Sequence, residues 1–151
     1  SEPLRPHLHD PRHNFIKFVG TIRFIEAVVG GVFVGDDRGV WFMPGNEPEQ
    51  IRRVTAVRAI RRSSVLVSGA HFDKNITQSD QECAVWLSEE GYMLGRFTGD
   101  AVSLHPERVR VAAALEGRSR FIVREGVKQI ITLTAATTAP GFGIATDTTS
   151  Q

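Results

Sequence analysis

Val32-Phe33-Val34-Gly35-Asp36-Asp37-Arg38-Gly39-Val40-Trp41-Phe42-Met43 is an apolar run, a short charged turn closed by glycine, and a second apolar run. A tight hairpin turn needs backbone at positive φ, which glycine adopts without steric cost, so Gly39 predicts a β-hairpin. The pattern returns twice. Ala84-Val85-Trp86-Leu87-Ser88-Glu89-Glu90-Gly91-Tyr92-Met93-Leu94 places Gly91 at the same point, and Phe121-Ile122-Val123-Arg124-Glu125-Gly126-Val127-Lys128-Gln129-Ile130-Ile131 does so with Gly126. A recurring strand-turn-strand unit predicts an all-β protein of antiparallel, blade-like meanders, as in part of a β-propeller.

The remaining punctuation fills in around these hairpins. Pro3, Pro6 and Pro11 make residues 1–14 an extended Pro/His-rich segment. Phe15 to Phe18 and Thr21 to Val29 have strand composition, and Ser64 to Ser68 reads as a strand ending at Gly69. Gln50 to Arg62 fits a short helix or an irregular extension equally well, because Ile51, Val54, Val57 and Ile60 advance by three. Ala70 to Gln81 reads as a polar loop, Val102 to Leu104 as a short strand, and Val109 to Leu115 as strand or helical turn. The divisions expected are therefore 1–14, a β domain over 15–131, and a Thr/Ala/Gly-rich arm over 132–151.

The 151 residues fit one domain, and 41% hydrophobic with 23% charged content is ordinary for a chain that buries a core. A net charge of +1 demands no polyanionic partner. The single cysteine, Cys83, precludes an intrachain disulfide. No apolar run has the length of a membrane-spanning helix, so no membrane partner is expected. The chain begins at Ser1-Glu2-Pro3 without methionine and is read as a piece of something longer.

Few residues point to chemistry. His7, His9 and His13 have spacing compatible with zinc or copper, but lack a surrounding thiol or carboxylate framework and read as a polar loop. His71, Asp73, Asp80 and Glu82 are the nearest approach to an acid/base set, yet they fall in a loop rather than on a rigid frame. No nucleophile elbow, phosphate-cradling glycine loop or zinc-protease helix occurs, so neither an enzyme nor a cofactor is expected. Asn75-Ile76-Thr77 matches a glycosylation acceptor by accident of composition. Arg52, Arg53, Arg58, Arg61 and Arg62 concentrate positive charge; without interleaved stacking aromatics they read as interface residues pairing with acids on another subunit, or as a channel wall that DNA passes. Trp41, Phe42, Trp86, Tyr92 and Phe121 read as packing between sheets rather than as a sugar-binding row.

Several phrases together carry a family likeness: Ser1-Glu2-Pro3-Leu4-Arg5, His9-Asp10-Pro11-Arg12-His13-Asn14-Phe15, Gly31-Val32-Phe33-Val34-Gly35-Asp36, Trp41-Phe42-Met43-Pro44-Gly45-Asn46-Glu47-Pro48-Glu49 and Val85-Trp86-Leu87-Ser88-Glu89-Glu90-Gly91. The chain resembles β-propeller-type virion structural proteins of tailed bacteriophages, in particular the tail nozzle of short-tailed phages. That resemblance implies a ring of copies in the virion tail, assembled in the host cytoplasm and continuing the DNA-ejection channel below an adaptor. It also implies an outer face offered to fibres or spikes, and transient passage of phage DNA. The alternative is a host-glycan-binding adhesin module of a phage tail, recognised by whether Trp41, Trp86 and Tyr92 lie on the surface or between strands.

Overall fold

In a computed structural model, which describes residues 16–135 apart from 106, 108, 109, 112, 113 and 115, the chain is all-β with antiparallel sheets. The first sheet is a meander of β1 (Phe24–Val28), β2 (Gly31–Asp36), β3 (Gly39–Pro44) and β4 (Arg52–Thr55), in that order across the sheet. The second repeats it with β5 (Val65–Ser68), β6 (Glu82–Ser88), β7 (Gly91–Gly95) and β8 (Ala101–Ser103). A two-stranded sheet of β9 (Gly117–Arg124) and β10 (Val127–Thr134) completes the described strands. These sheets are not closed on themselves, so a propeller is not shown.

All three hairpins have two-residue loops, since Asp36 faces Gly39, Ser88 faces Gly91 and Arg124 faces Val127. The first two turns are built alike. The side chain at the strand end accepts a hydrogen bond from the backbone N–H two residues on, Asp36 Oδ1 from Arg38 at 2.8 Å and Ser88 Oγ from Glu90 at 3.1 Å. Gly39 (φ +138°) and Gly91 (φ +103°) then carry the backbone back into the sheet. In the third turn both loop residues are left-handed, Glu125 at +51° and Gly126 at +78°, as a type I′ turn requires. A Cβ on Gly126 meets no atom within 4 Å, whereas one on Gly39 would lie 2.1 Å from the Thr55 carbonyl oxygen. Gly126→Ala is therefore expected to lose about 1–2 kcal/mol, the left-handed penalty alone. Gly39→Ala should lose more because β4 must also move away, and urea titrations of the two variants would rank them.

The sheets stack face to face. Phe24, Phe33, Val40 and Phe42 of the first sheet close on Ala84 and Trp86 of the second, with Ala59 from the connection. Alternation along β6 sends Cys83 and Val85 to the opposite face. There, with Val67 and Leu94, they meet Tyr92, Phe121 and Ile130 in a second core beneath the β9–β10 hairpin. From Cys83 to Ser88 every residue is buried, which explains the nearly unbroken apolar run in a strand covered on both sides.

The structure departs from expectation at three places. Gln50 to Arg62 is neither a single helix nor one irregular extension: after a 3-10 turn at Pro48–Gln50 it forms β4, and Ala59 then bridges Ser88 antiparallel. The three-residue spacing arises because the segment changes conformation twice while burying Ile60 and half-burying Val54. Residues 16–18 lie outside any strand, and regular pairing starts only at Phe24. Just before it, the Thr21 N–H and the Arg23 guanidinium both hold Asp37 at the first hairpin tip. At the other end β10 runs through Thr134, since Thr132 faces inward and its hydroxyl bonds Tyr92 and Ser119. The Pro/His-rich segment with His7, His9 and His13, and residues 136–151, lie outside the described residues, as does most of Val109 to Leu115. Among the described residues no helix is long and apolar enough to cross a membrane.

Candidate interaction surface

The most constructed polar feature stands on the outer face of the first sheet. Asp36 is fully buried at the end of β2; its Oδ1 accepts from the Arg38 N–H and from Trp41 Nε1 (3.2 Å), and its Oδ2 from Arg38 Nη2 (3.2 Å). Burial alone would push this carboxyl up, but the hydrogen bonds from the Arg38 backbone, the Trp41 indole and the Arg38 guanidinium outweigh it and hold it below the ordinary aspartate value. Trp41 is thereby fixed, with the Arg38 guanidinium 5.0 Å and the Arg53 guanidinium 6.0 Å from its ring centre. Arginine and tryptophan held rigid on a sheet face are what protein interfaces concentrate at their centres.

The five arginines expected to act together are separated. Register opposes Arg53 to Trp41 and Arg52 to Phe42, and successive strand residues face opposite ways. Arg52 consequently lies over Phe42, 5.2 Å from its ring centre, and donates to the Gly99 carbonyl. Arg58 pairs with Glu89 at 2.8 Å and Arg62 with Glu116 at 3.5 Å, so both meet acids of their own chain. Such half-exposed pairs contribute under about 1 kcal/mol each. Arg61 is exposed, and its carbonyl accepts from the Gly117 N–H.

The loop acids and histidine do not converge. The His71 ring packs on Phe121 at 4.8 Å, Asp73 accepts from the Asn75 N–H, and Asp80 pairs with Lys74. No group of three or more His, Cys, Asp or Glu suited to a metal ion occurs among the described residues. An open depression of about 420 Å³ lies between residues 74–79 and 96–98. Arg96 at its wall is engaged by the Ile76 carbonyl and Asp100. Of the aromatics, Trp86 is buried, Tyr92 donates to or accepts from Thr132 at 2.7 Å, and Trp41 is half-buried between its arginines.

Sequence reasoning missed two features. One is the Asp36–Arg38–Trp41 arrangement, readable only as an aspartate before a two-residue turn with an aromatic five positions on. The other is the outer face of β9–β10, where Arg118, Arg120 and Arg124 alternate along one strand. Compared with known proteins, the chain matches no family model, no curated protein and no solved structure.

Proposed function

We propose that this chain is a structural module of a bacteriophage tail, of nozzle or tail-tip kind. In this reading copies of it assemble in a ring around the DNA-ejection channel and contact adaptor, fibre or spike proteins on their outer side. The observation that carries the reading is the stack itself. Two four-stranded meanders lie face to face and are followed by a two-stranded sheet whose outer face exposes Val127, Ile131 and Leu133 and whose β10 edge pairs with no other described strand, as in a blade array continued by neighbours. The rigid Arg38–Trp41–Arg53 surface supplies an interface on the opposite side of the stack. Antibody against the chain, applied to intact virions, is expected to label the tail; labelling restricted to host membranes or absent from particles would refute the assignment.

A glycan-binding adhesin is the second reading. It is disfavoured because Trp86, Tyr92 and Trp41 are committed to a core, a hydroxyl pair and an arginine clamp rather than ranged on one open face.

A further inference from the structure

We infer that the β10 edge is a self-association surface, where β10 pairs antiparallel with β10 of a second copy. The joined hairpins would form one four-stranded sheet, the strand number of the other two. The inference stands apart from the tail assignment, since it follows from the hairpin's own register.

In a hairpin with a two-residue loop, the flanking residues Arg124 and Val127 bond each other and mutual bonding recurs at every second pair. The N–H and C=O groups of Lys128, Ile130, Thr132 and Thr134 therefore point away from β9. Among the described residues no backbone group pairs with them, and the Ile130 carbonyl accepts only a long 3.4 Å bond from the Tyr92 hydroxyl. The free side of β9 is different, because the Gly117 N–H donates to the Arg61 carbonyl and the Ser119 hydroxyl to the Ser63 carbonyl. β10 has no bulge and no proline, two of the devices that blunt an edge, and its one edge charge, Lys128, lies near the hairpin end of the strand.

Side chains on the outer face select the partner. Val127, Ile131 and Leu133 are 56%, 44% and 74% exposed and all lie on the edge strand, whereas the exposed Arg118, Arg120 and Arg124 lie on β9. A two-fold axis at Ile131 puts the apolar residues of both copies in one central stripe. It also sends the two arginine rows to opposite rims, so like charges do not oppose. In that register Lys128 faces Thr134 of the second copy and Ile130 faces Thr132, about eight main-chain bonds in all. Ile131 then sits opposite Ile131 in a non-bonded pair, where side chains approach most closely. An edge contact alone covers less area than a standard interface of roughly 1,600 Å², so association is expected in the micromolar range or weaker.

The register gives a direct test. Cys83 is the native chain's single cysteine and is buried, so Ile131→Cys adds the one accessible thiol. Mild oxidation of the full chain is expected to yield disulfide-linked dimer from Ile131→Cys. Leu133→Cys should give little, because its two copies would stand four residues out of register, about 13 Å apart. In sedimentation equilibrium, Ile131→Lys should weaken dimerisation at least tenfold while circular dichroism stays unchanged. Equal cross-linking of both cysteine variants would overturn the register. A wild-type monomer at high concentration would overturn the inference, whether β10 amides exchange freely or are protected by another segment of the chain.

Discussion

Trp86→Ala is expected to cost about 3–5 kcal/mol, the range for removing a large aromatic from a packed core, which is a large share of the roughly 5–15 kcal/mol that holds an ordinary domain folded. Trp86 is fully buried where the first two sheets meet. Its ring centre lies 5.2 Å from Phe24 and 5.7 Å from Phe33, so its loss strands both phenylalanines at once. Collapse of the cavity is restricted on the other side, since Phe33 already touches the bare backbone of Gly95, where a Cβ would lie 2.6 Å from the ring. Trp86→Phe should cost far less. Trp86 Nε1 is buried without an acceptor among the described residues, and phenylalanine removes that unmet donor along with part of the ring. Urea denaturation of the two variants separates the contributions, and an alanine variant within 1 kcal/mol of wild type would contradict the stacked-sheet core.

The second large effect is at Asp36. Asp36→Ala leaves the Trp41 indole and the Arg38 N–H without their acceptor at a buried position, an expected loss of about 2–4 kcal/mol at neutral pH. It also releases Trp41 from its fixed orientation, which should appear as a shift in tryptophan fluorescence. Asp36→Asn retains an acceptor of similar shape and should fall between alanine and wild type. The pH dependence carries the same signature. Asp36, Asp37 and Asp100 all titrate below the ordinary aspartate value of 3.8 in the fold: hydrogen bonds outweigh burial at Asp36 and, with Arg96, at Asp100, and the Thr21 N–H leads at Asp37. A carboxyl that binds its proton less readily when folded contributes stability that is fully present above its unfolded value and is lost as pH falls through its folded one. Stability should therefore hold from neutrality to about pH 4 and decline below it. Asp36→Asn should flatten that acid limb, and an unchanged acid limb in the variant would contradict the role given to the carboxylate.

The hairpins were legible because two-residue turns concentrate their chemistry in a few adjacent positions, with Gly39, Gly91 and Gly126 each at positive φ. The all-β, antiparallel class followed from them. What escaped was non-local. β4 is two exposed arginines and two half-buried residues, and it is a strand only because β3 offers an edge with a register shift at Val40 and Trp41. The arginine cluster looked like one surface because five residues are close in sequence. Strand alternation separates Arg52 from Arg53, and Glu89 and Glu116, distant in sequence, capture Arg58 and Arg62. Asp36 likewise read as a turn residue, and nothing in its immediate neighbours announces a carboxylate buried beneath a tryptophan.

Each meander is contiguous in sequence, and this ordering bears on synthesis. The first sheet can pair completely once Thr55 has been made, yet Phe24, Phe33 and Phe42 have only one another and the nearby Ala59 to pack against until Trp86 and Gly95 follow. At a ribosomal rate of roughly 5–20 residues per second, those forty residues leave a greasy half-sandwich naked on the nascent chain for about 2–8 s. Translation pauses in that interval would lengthen its exposure to chaperones and to neighbouring polysomes, whereas the β9–β10 hairpin, the last of the described strands to be made, lands on a template already in place.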